Sequence, residues 1–426
     1  MIEPLTNFEG MNLTINTNED CNLACKYCYE INKKHKVISK ENIVGFIDRL
    51  LEDPDPIAVA GTEDEWMLHT GAVIDFIGGD ALMHPDIVDF ALTYFVQQIN
   101  LKNHRWKDNW RASISTNGTL FKTKGVKELI EKWRDNLSIG ISIDGSPEIH
   151  DKNRIMAEPN PDGSERGSMQ YIMESWPWVK ANLTFTPDQT KSTLSKDSIP
   201  YIFESLKFMH ETLGMHYINQ NFIMEANGCT DEDYMRLDEE MEKCVDYLIE
   251  HRHELYWSMV EKQGTTARSF DIHAAEENLD KGWCGSGAMP CVGMTGKIYP
   301  CFRWLPHTLA DYNSAEAHCV GDIKEGFVHK ERFREVKEAT RRKISSKYCM
   351  SCEYEAGCPY CIGGCFSEFG KFKRTEHICT ISKIRNKWAR IYWKRIEELE
   401  HNQTKYLARK LNDYYKNAGV SRKETR

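Results

Sequence analysis

Residues 21–28 read Cys-Asn-Leu-Ala-Cys-Lys-Tyr-Cys and follow closely on the segment Met11-Asn12-Leu13-Thr14-Ile15-Asn16. Apolar and polar residues alternate in that segment, which predicts a strand, so Cys21, Cys25 and Cys28 fall on a loop that leaves a strand end. Three thiolates on one loop suit one face of a cubane iron–sulfur cluster and leave its fourth iron open to another molecule. A structural zinc site is the alternative, but zinc closes with four protein ligands, typically a C-x2-C pair with a second pair downstream.

The chain around this loop has 426 residues, enough for a large catalytic domain and a smaller one. Its formal net charge of -9 and pI near 6.0 argue against a nucleic-acid partner and favour a peptide or small molecule. No run of about 18 apolar residues occurs, and the start Met1-Ile2-Glu3-Pro4-Leu5 lacks the basic and apolar regions of a signal peptide. The expectation is a soluble, cytoplasmic chain with no membrane partner. Its 15 cysteines gather at two places, which reads as metal ligation, since disulfide-stapled domains are small and secreted.

Strand and helix patterns alternate after the cysteine loop. A helix is predicted over 38–51, a strand over 72–77, a helix over 85–98, a strand over 111–115, a helix over 122–133 and a strand over 137–143. A strand over 181–186, a helix over 198–213 and a strand over 216–224 follow. Alternation of this kind predicts an α/β fold with a parallel sheet and right-handed crossovers, here a partial (β/α)6 barrel of TIM type. Polar motifs fall at the carboxyl ends of the strands, where parallel βα folds place function. They are the cysteine loop, Gly78-Gly79-Asp80, Ser115-Thr116-Asn117-Gly118 and Ser142-Ile143-Asp144-Gly145. Singly, each is an ordinary turn sequence.

Taken jointly, these motifs resemble those of the radical S-adenosylmethionine superfamily, with Tyr27 as the aromatic residue before the last cysteine. The resemblance implies that Cys21, Cys25 and Cys28 hold a [4Fe-4S] cluster whose open iron chelates S-adenosylmethionine. Reductive cleavage then yields a 5′-deoxyadenosyl radical. It further implies that Gly78 and Gly79 match the GGE motif, whose backbone receives the methionyl amino group. Asp80 departs from that motif by a shorter carboxylate. Ser115 and Asn117 would line the same site, Ser142 would lie near the methionyl carboxylate or ribose with Asp144 in the same cofactor-binding segment, and Arg154 or Arg166 would supply a positive charge, although either reads more readily as an exposed or structural arginine.

Residues 225–282 are polar and helical in pattern and read as a bridge. Glu239, Glu240 and Glu242 suit a solvated face, and Cys229 and Cys244 read as isolated thiols. Beyond the bridge, Cys284, Cys291, Gly296-Lys-Ile-Tyr-Pro-Cys301, Cys349, Cys352, Cys358, Cys361, Cys365 and Cys379 resemble the SPASM extension, which binds two auxiliary [4Fe-4S] clusters. A zinc ribbon at Cys349-x2-Cys352 is the alternative, but nine candidate ligands exceed one zinc site. The resemblance assigns Cys284, Cys291, Cys301 and Cys365 to a first auxiliary cluster and Cys349, Cys352, Cys358 and Cys379 to a second. Cys361 is left over, able to displace Cys358 or Cys365. The expected organisation is a barrel over 1–224, a bridge over 225–282, a cysteine-rich domain over 283–380 and a closing C-terminal helix over 381–426.

By this resemblance the chain is an enzyme that modifies a ribosomally made peptide. Sulfatase-maturing relatives carry a general-base Asp after the cysteine matching Cys301, where this chain has Phe302. Thioether cross-linking of cysteines, as in sactipeptide and ranthipeptide maturases, is therefore preferred. Carbon–carbon cross-linking and formylglycine-type oxidation are the alternatives, and a non-catalytic iron–sulfur electron carrier is the alternative from another class. The implied partners are a Cys-containing precursor peptide, a reductant such as flavodoxin or ferredoxin, and a separate leader-binding protein, since only twenty residues precede Cys21.

Overall fold

The computed structural model describes residues 10–53, 71–183, 190–225, 228–260, 279–280, 282, 284–355 and 358–417, with side chains through residue 402. The strand that leads into the cysteine loop is β1 (Gly10–Asn18). It is followed by α1 (Lys40–Glu52), β2 (Gly71–Gly78), α2 (Pro85–Leu101), β3 (Trp110–Thr116), α3 (Lys124–Trp133) and β4 (Leu137–Ile141). The four strands pair in parallel in that order. A two-residue period then sorts side chains between the two faces. One face carries Leu13, Ile15, Ile74, Phe76, Ile114 and Ile139, all buried in the main apolar core with the inner faces of α1, α2 and α3. Helix α1 shows the local logic: Ile43, Phe46, Ile47 and Leu50 fall at helical spacing, and Ser39 caps its first turn by accepting from Asn42 N–H at 3.2 Å.

The other face is polar. Thr14, Asp75, Ser113 and Ser138 stand opposite one another in successive strands, and this row lines the interior of the barrel. Beyond β4 and the helices α4 (Pro147–Asn153) and α5 (Met169–Asn182), a bridge from Ile141 to Thr190 carries the parallel arrangement on to β5 (Ser192–Leu194). Next come α6 (Ile202–Lys207), a π-helical turn Phe208–Thr212, β6 (Tyr217–Ile218) and β7 (Gln220–Phe222), which pairs in parallel with β5. The architecture is thus the α/β parallel fold that the sequence predicts.

Some boundaries differ from expectation. Ala181 and Asn182 end α5 instead of opening a strand, because Ile172, Trp176 and Val179 bury one helical face up to that point. The rest of that expected strand, 184–186, lies outside the described residues. The helix expected over 198–213 is a 3-10 turn, α6 and the π turn in succession, and the strand expected over 216–224 is the pair β6 and β7.

The bridge region is α7 (Asp231–Glu250), opened by a capping box between Thr230 and Asp233, and then β8 (Tyr256–Trp257), parallel to β6. Glu240 is not solvated. It is buried, accepts from Phe203 N–H at 3.1 Å at the start of α6, and pairs with Lys243 at 2.7 Å. The unpaired N–H groups of a helix start supply the reason.

The cysteine-rich region joins the barrel through its sheet. β9 (Cys291–Val292) runs parallel to β1, with Cys291 opposite Thr14, and forms a hairpin with β10 (Lys297–Tyr299), which pairs with β11 (Gly321–Asp322). Gly296 turns that hairpin at a φ of +81°, where a side chain would be strained. The terminal helix, Cys379–Asn417, lies against α7, with Trp388 Nε1 donating to Asp238 at 2.8 Å. Among the described residues, no helix is long and apolar enough to cross a membrane.

Candidate active site at the carboxyl rim

The cysteine loop is held from both sides. Leu23 bridges to Met156, Ala24 N–H donates to Ile155 O at 2.8 Å and Lys26 N–H to Asn153 O at 3.0 Å, so the loop pairs with the segment after α4. On the other side it presses on the end of β2. Gly79 N–H donates to Asn18 O at 3.1 Å and Asp80 N–H to Asp20 O at 2.9 Å. A Cβ at Gly79 would stand 2.0 Å from Asp20 O. The glycine therefore lets the loop backbone approach β2, a packing requirement that exists whatever the loop holds.

Asp80 is spent on the framework. Its buried carboxylate accepts from Leu82 N–H at 2.9 Å, Asn117 N–H at 2.7 Å and Thr116 Oγ1 at 2.8 Å, tying the end of β2 to the end of β3. Asn117 continues the tie to the thiols, its amide lying 3.8 Å from Cys21 Sγ and donating to Asn22 Oδ1 at 2.8 Å. Burial, with the Asp80 charge nearby, pushes the Cys21 thiol up to about 12, and burial likewise raises Cys25.

A second network stands at the end of β4. Asp144, wholly buried, accepts from the Tyr27 phenol and from Thr193 N–H at 3.0 Å, and pairs with Arg154 Nε at 3.0 Å. The Arg154 guanidinium lies 5.4 Å from the centre of the Tyr27 ring. Burial opposes its charge, yet Asp144, Tyr27 and Cys25 around it hold its pKa above the ordinary value. Arg166 is not part of this network; its guanidinium lies over Tyr171 at 5.1 Å. Ser142 N–H donates to Thr116 O at 2.8 Å, which places it beside the end of β3.

Three residues inside the barrel were not singled out from sequence. Asn16 is wholly buried beside Gly78, and neither atom of its amide has a hydrogen-bond partner among the described residues. Such an orphan is costly unless a bound polar group satisfies it. Asp75, half-buried, and Lys191 at the open side of the barrel interact electrostatically: desolvation raises the carboxyl and lowers the amine, and the amine donates to Ser115 Oγ at 2.5 Å. The only signal in the sequence was their polarity at alternate strand positions, which exposed strands share.

The downstream thiols fall into two groups. Cys349, Cys352, Cys358 and Cys379 line one small pocket, with Arg374 and Lys383 beside them. In the other group, Cys284, Cys301 and Cys361 interact electrostatically with one another, Cys291 lies beside Cys301, and Cys365 lies beside Cys361. Cys361, left over in the sequence assignment, thus interacts with three of the thiols of this group, Cys284, Cys301 and Cys365. Its neighbour is Arg303, buried over the Tyr29 ring at 4.5 Å and bonded to Glu225 at 2.7 Å, with Phe302 packed on the same tyrosine. The count of nine candidates omits Cys319, which also lies in this interval; its buried thiol donates to Gly321 O at 3.1 Å.

Comparison with known proteins gives four likenesses. The family profile described as the Radical SAM superfamily matches residues 15–195. An uncharacterised protein of Methanocaldococcus jannaschii is 26% identical over 203 residues, 47% of this chain and 59% of that protein, so the match spans little over half of that relative's length. The cysteine-type anaerobic sulfatase-maturating enzyme of Clostridium novyi is 23% identical over 368 residues, 82% of this chain and 85% of that protein. Among solved structures, anSMEcpe with bound AdoMet and the Cp18Cys peptide superposes with a TM-score of 0.65 at 15% identity, covering 92% of this chain and 99% of that one.

Proposed function

From the match of residues 15–195 to the Radical SAM superfamily profile, we propose that this chain is a radical SAM peptide maturase that forms thioether cross-links between cysteine sulfur and carbon. The observation that carries the reading is the placement of Cys21, Cys25 and Cys28 on one loop at the carboxyl rim, clasped between Asn117 and the Tyr27–Asp144–Arg154 network. The donor set fits an iron–sulfur cluster, being three soft thiols on a loop with an orphaned amide, Asn16, close by at the end of the same strand. With its cluster bound and reduced, this site would supply a 5′-deoxyadenosyl radical from S-adenosylmethionine.

The chain's own residues do the rest. Asp144 neutralises Arg154 and holds it and Tyr27 at the rim, and Asp80 fixes the strand ends that carry the glycines and Asn117. Two further thiol groups suit two auxiliary clusters. Phe302, packed on Tyr29, puts no proton acceptor directly after Cys301, and the next residue, Arg303, is a cation beside Cys361. Domain limits of 1–224, 225–282, 283–380 and 381–426 belong to the same reading.

The test is anaerobic co-expression with a Cys-containing precursor peptide, followed by mass spectrometry. Thioether formation predicts loss of two hydrogens per modification and thiols that no longer alkylate. Unchanged thiol counts exclude it, and replacement of the thiol sulfur by a carbonyl oxygen would identify the formylglycine product instead.

A further inference from the structure

At the opposite end of the barrel, the structure brings together His210 on the π turn after α6 with His251 and Glu254 on the turn that ends α7. One ligand atom of each lies within 4.8 Å of those of the other two. We propose that these three residues form a binding site for a divalent transition metal of the zinc type, with His216 next to them for the fourth position.

Hydrogen bonds around the histidines set them up as ligands. Tyr247 donates its phenol to Glu211 at 3.0 Å, so its oxygen accepts from His210 Nδ1–H at 2.7 Å. That leaves the lone pair of His210 on Nε2. His216 Nδ1–H donates to Glu254 O at 3.0 Å, which fixes that ring beside the group. A ligating histidine ordinarily donates its second ring N–H in this way, to a carboxylate, a carbonyl or another oxygen, and the partner fixes the ring. His251 Nδ1 and Glu254 Oε1 share a proton at 2.5 Å, and a divalent cation would replace that proton.

The rings are spaced for one ion. The centre of the His210 ring is 5.0 Å from that of His251 and 6.2 Å from that of His216. A tetrahedral zinc shell with bonds of about 2.0–2.1 Å places ligand atoms roughly 3.4 Å apart, so side-chain shifts of about 1 Å close it.

The position gives the site a role. His216 precedes β6 and Glu254 lies two residues before β8, at the amino ends of two paired parallel strands. In βα folds this end serves stability and the other end chemistry. A bound metal would cross-link the last crossover of the barrel to the bridge helix, far from the cysteine rim.

The experiment uses the full chain, reconstituted anaerobically with iron and sulfide, stripped with a chelator and dialysed to equilibrium against zinc chloride alone. Wild type is expected to hold one more zinc per chain than His210→Ala/His251→Ala at equal iron content. The zinc K-edge should show a nitrogen and oxygen shell with imidazole scattering. Glu254→Gln, an exposed change that leaves the fold intact, is expected to weaken zinc uptake at least tenfold. Equal zinc uptake by wild type and the Glu254→Gln chain, or a purely sulfur zinc shell in wild type, would overturn the proposal.

Discussion

Arg154 and Asp144 meet at 3.0 Å in the interior, with the arginine side chain 9% exposed and the aspartate 0%. A pair so enclosed is strongly coupled to the fold, since removing one partner leaves the other charge buried and unpaired. Arg154→Met is therefore expected to destabilise the chain by about 3–5 kcal/mol, measured by anaerobic denaturant unfolding. The double change Arg154→Met/Asp144→Leu should recover part of that loss. A double variant no more stable than the single one would contradict the coupling.

Gly79 is expected to govern loading of the loop. Its missing Cβ would sit 2.0 Å from Asp20 O, so Gly79→Ala must push the cysteine loop away from β2. The three four-iron clusters proposed for this chain would amount to about twelve irons, and Gly79→Ala is expected to lose about four of them on reconstitution, the same loss expected of Cys25→Ala. Full iron content in Gly79→Ala would show that the loop tolerates the displacement.

Stability should fall with pH on the acid side because of buried histidines. His150 accepts Asp144 N–H on Nδ1 at 3.3 Å and bonds Ser168 Oγ through Nε2 at 3.0 Å. A second proton would face the Asp144 N–H. Burial lowers its pKa from 6.5 to about 4, and burial lowers His318 to about 4 as well. The unfolded chain then binds protons that the folded one refuses, so the contribution is whole above pH 6.5 and is lost as pH falls to about 4. Urea midpoints across that window check this, and His150→Asn should flatten the profile.

Cys361 and Cys365 should not be equivalent. Cys361 interacts with both Cys284 and Cys301, whereas Cys365 lies beside Cys361. Reconstituted Cys361→Ala is expected to lose the iron of one cluster, about four per chain, and Cys365→Ala to keep it. The reverse order of iron loss would return the chain to the grouping that the resemblance implied.

What could be read beforehand followed from short-range rules. The strand ends were legible because a polar motif follows an alternating or apolar run, while the grouping of Cys349, Cys352, Cys358 and Cys379 came from the family resemblance and not from spacing. Asn16, Asp75 and Lys191 were not, because facing a barrel interior depends on strand pairing between residues far apart in the chain. Glu240 misled for the same reason: its acidic neighbours are local, while the Phe203 N–H it caps is 37 residues away. Cys361 could not be placed by counting, since hairpin and helix geometry decide which thiols converge.

The central claim is that the loop thiols at the rim support radical cleavage of S-adenosylmethionine. Its most direct test is chromatography with mass detection of 5′-deoxyadenosine from the anaerobically reconstituted full chain, given dithionite and S-adenosylmethionine. Wild type should form 5′-deoxyadenosine, and the Cys21→Ala/Cys25→Ala/Cys28→Ala chain, with its downstream iron retained, should form none. Absence of the nucleoside from wild type, or equal amounts from both chains, would contradict the account.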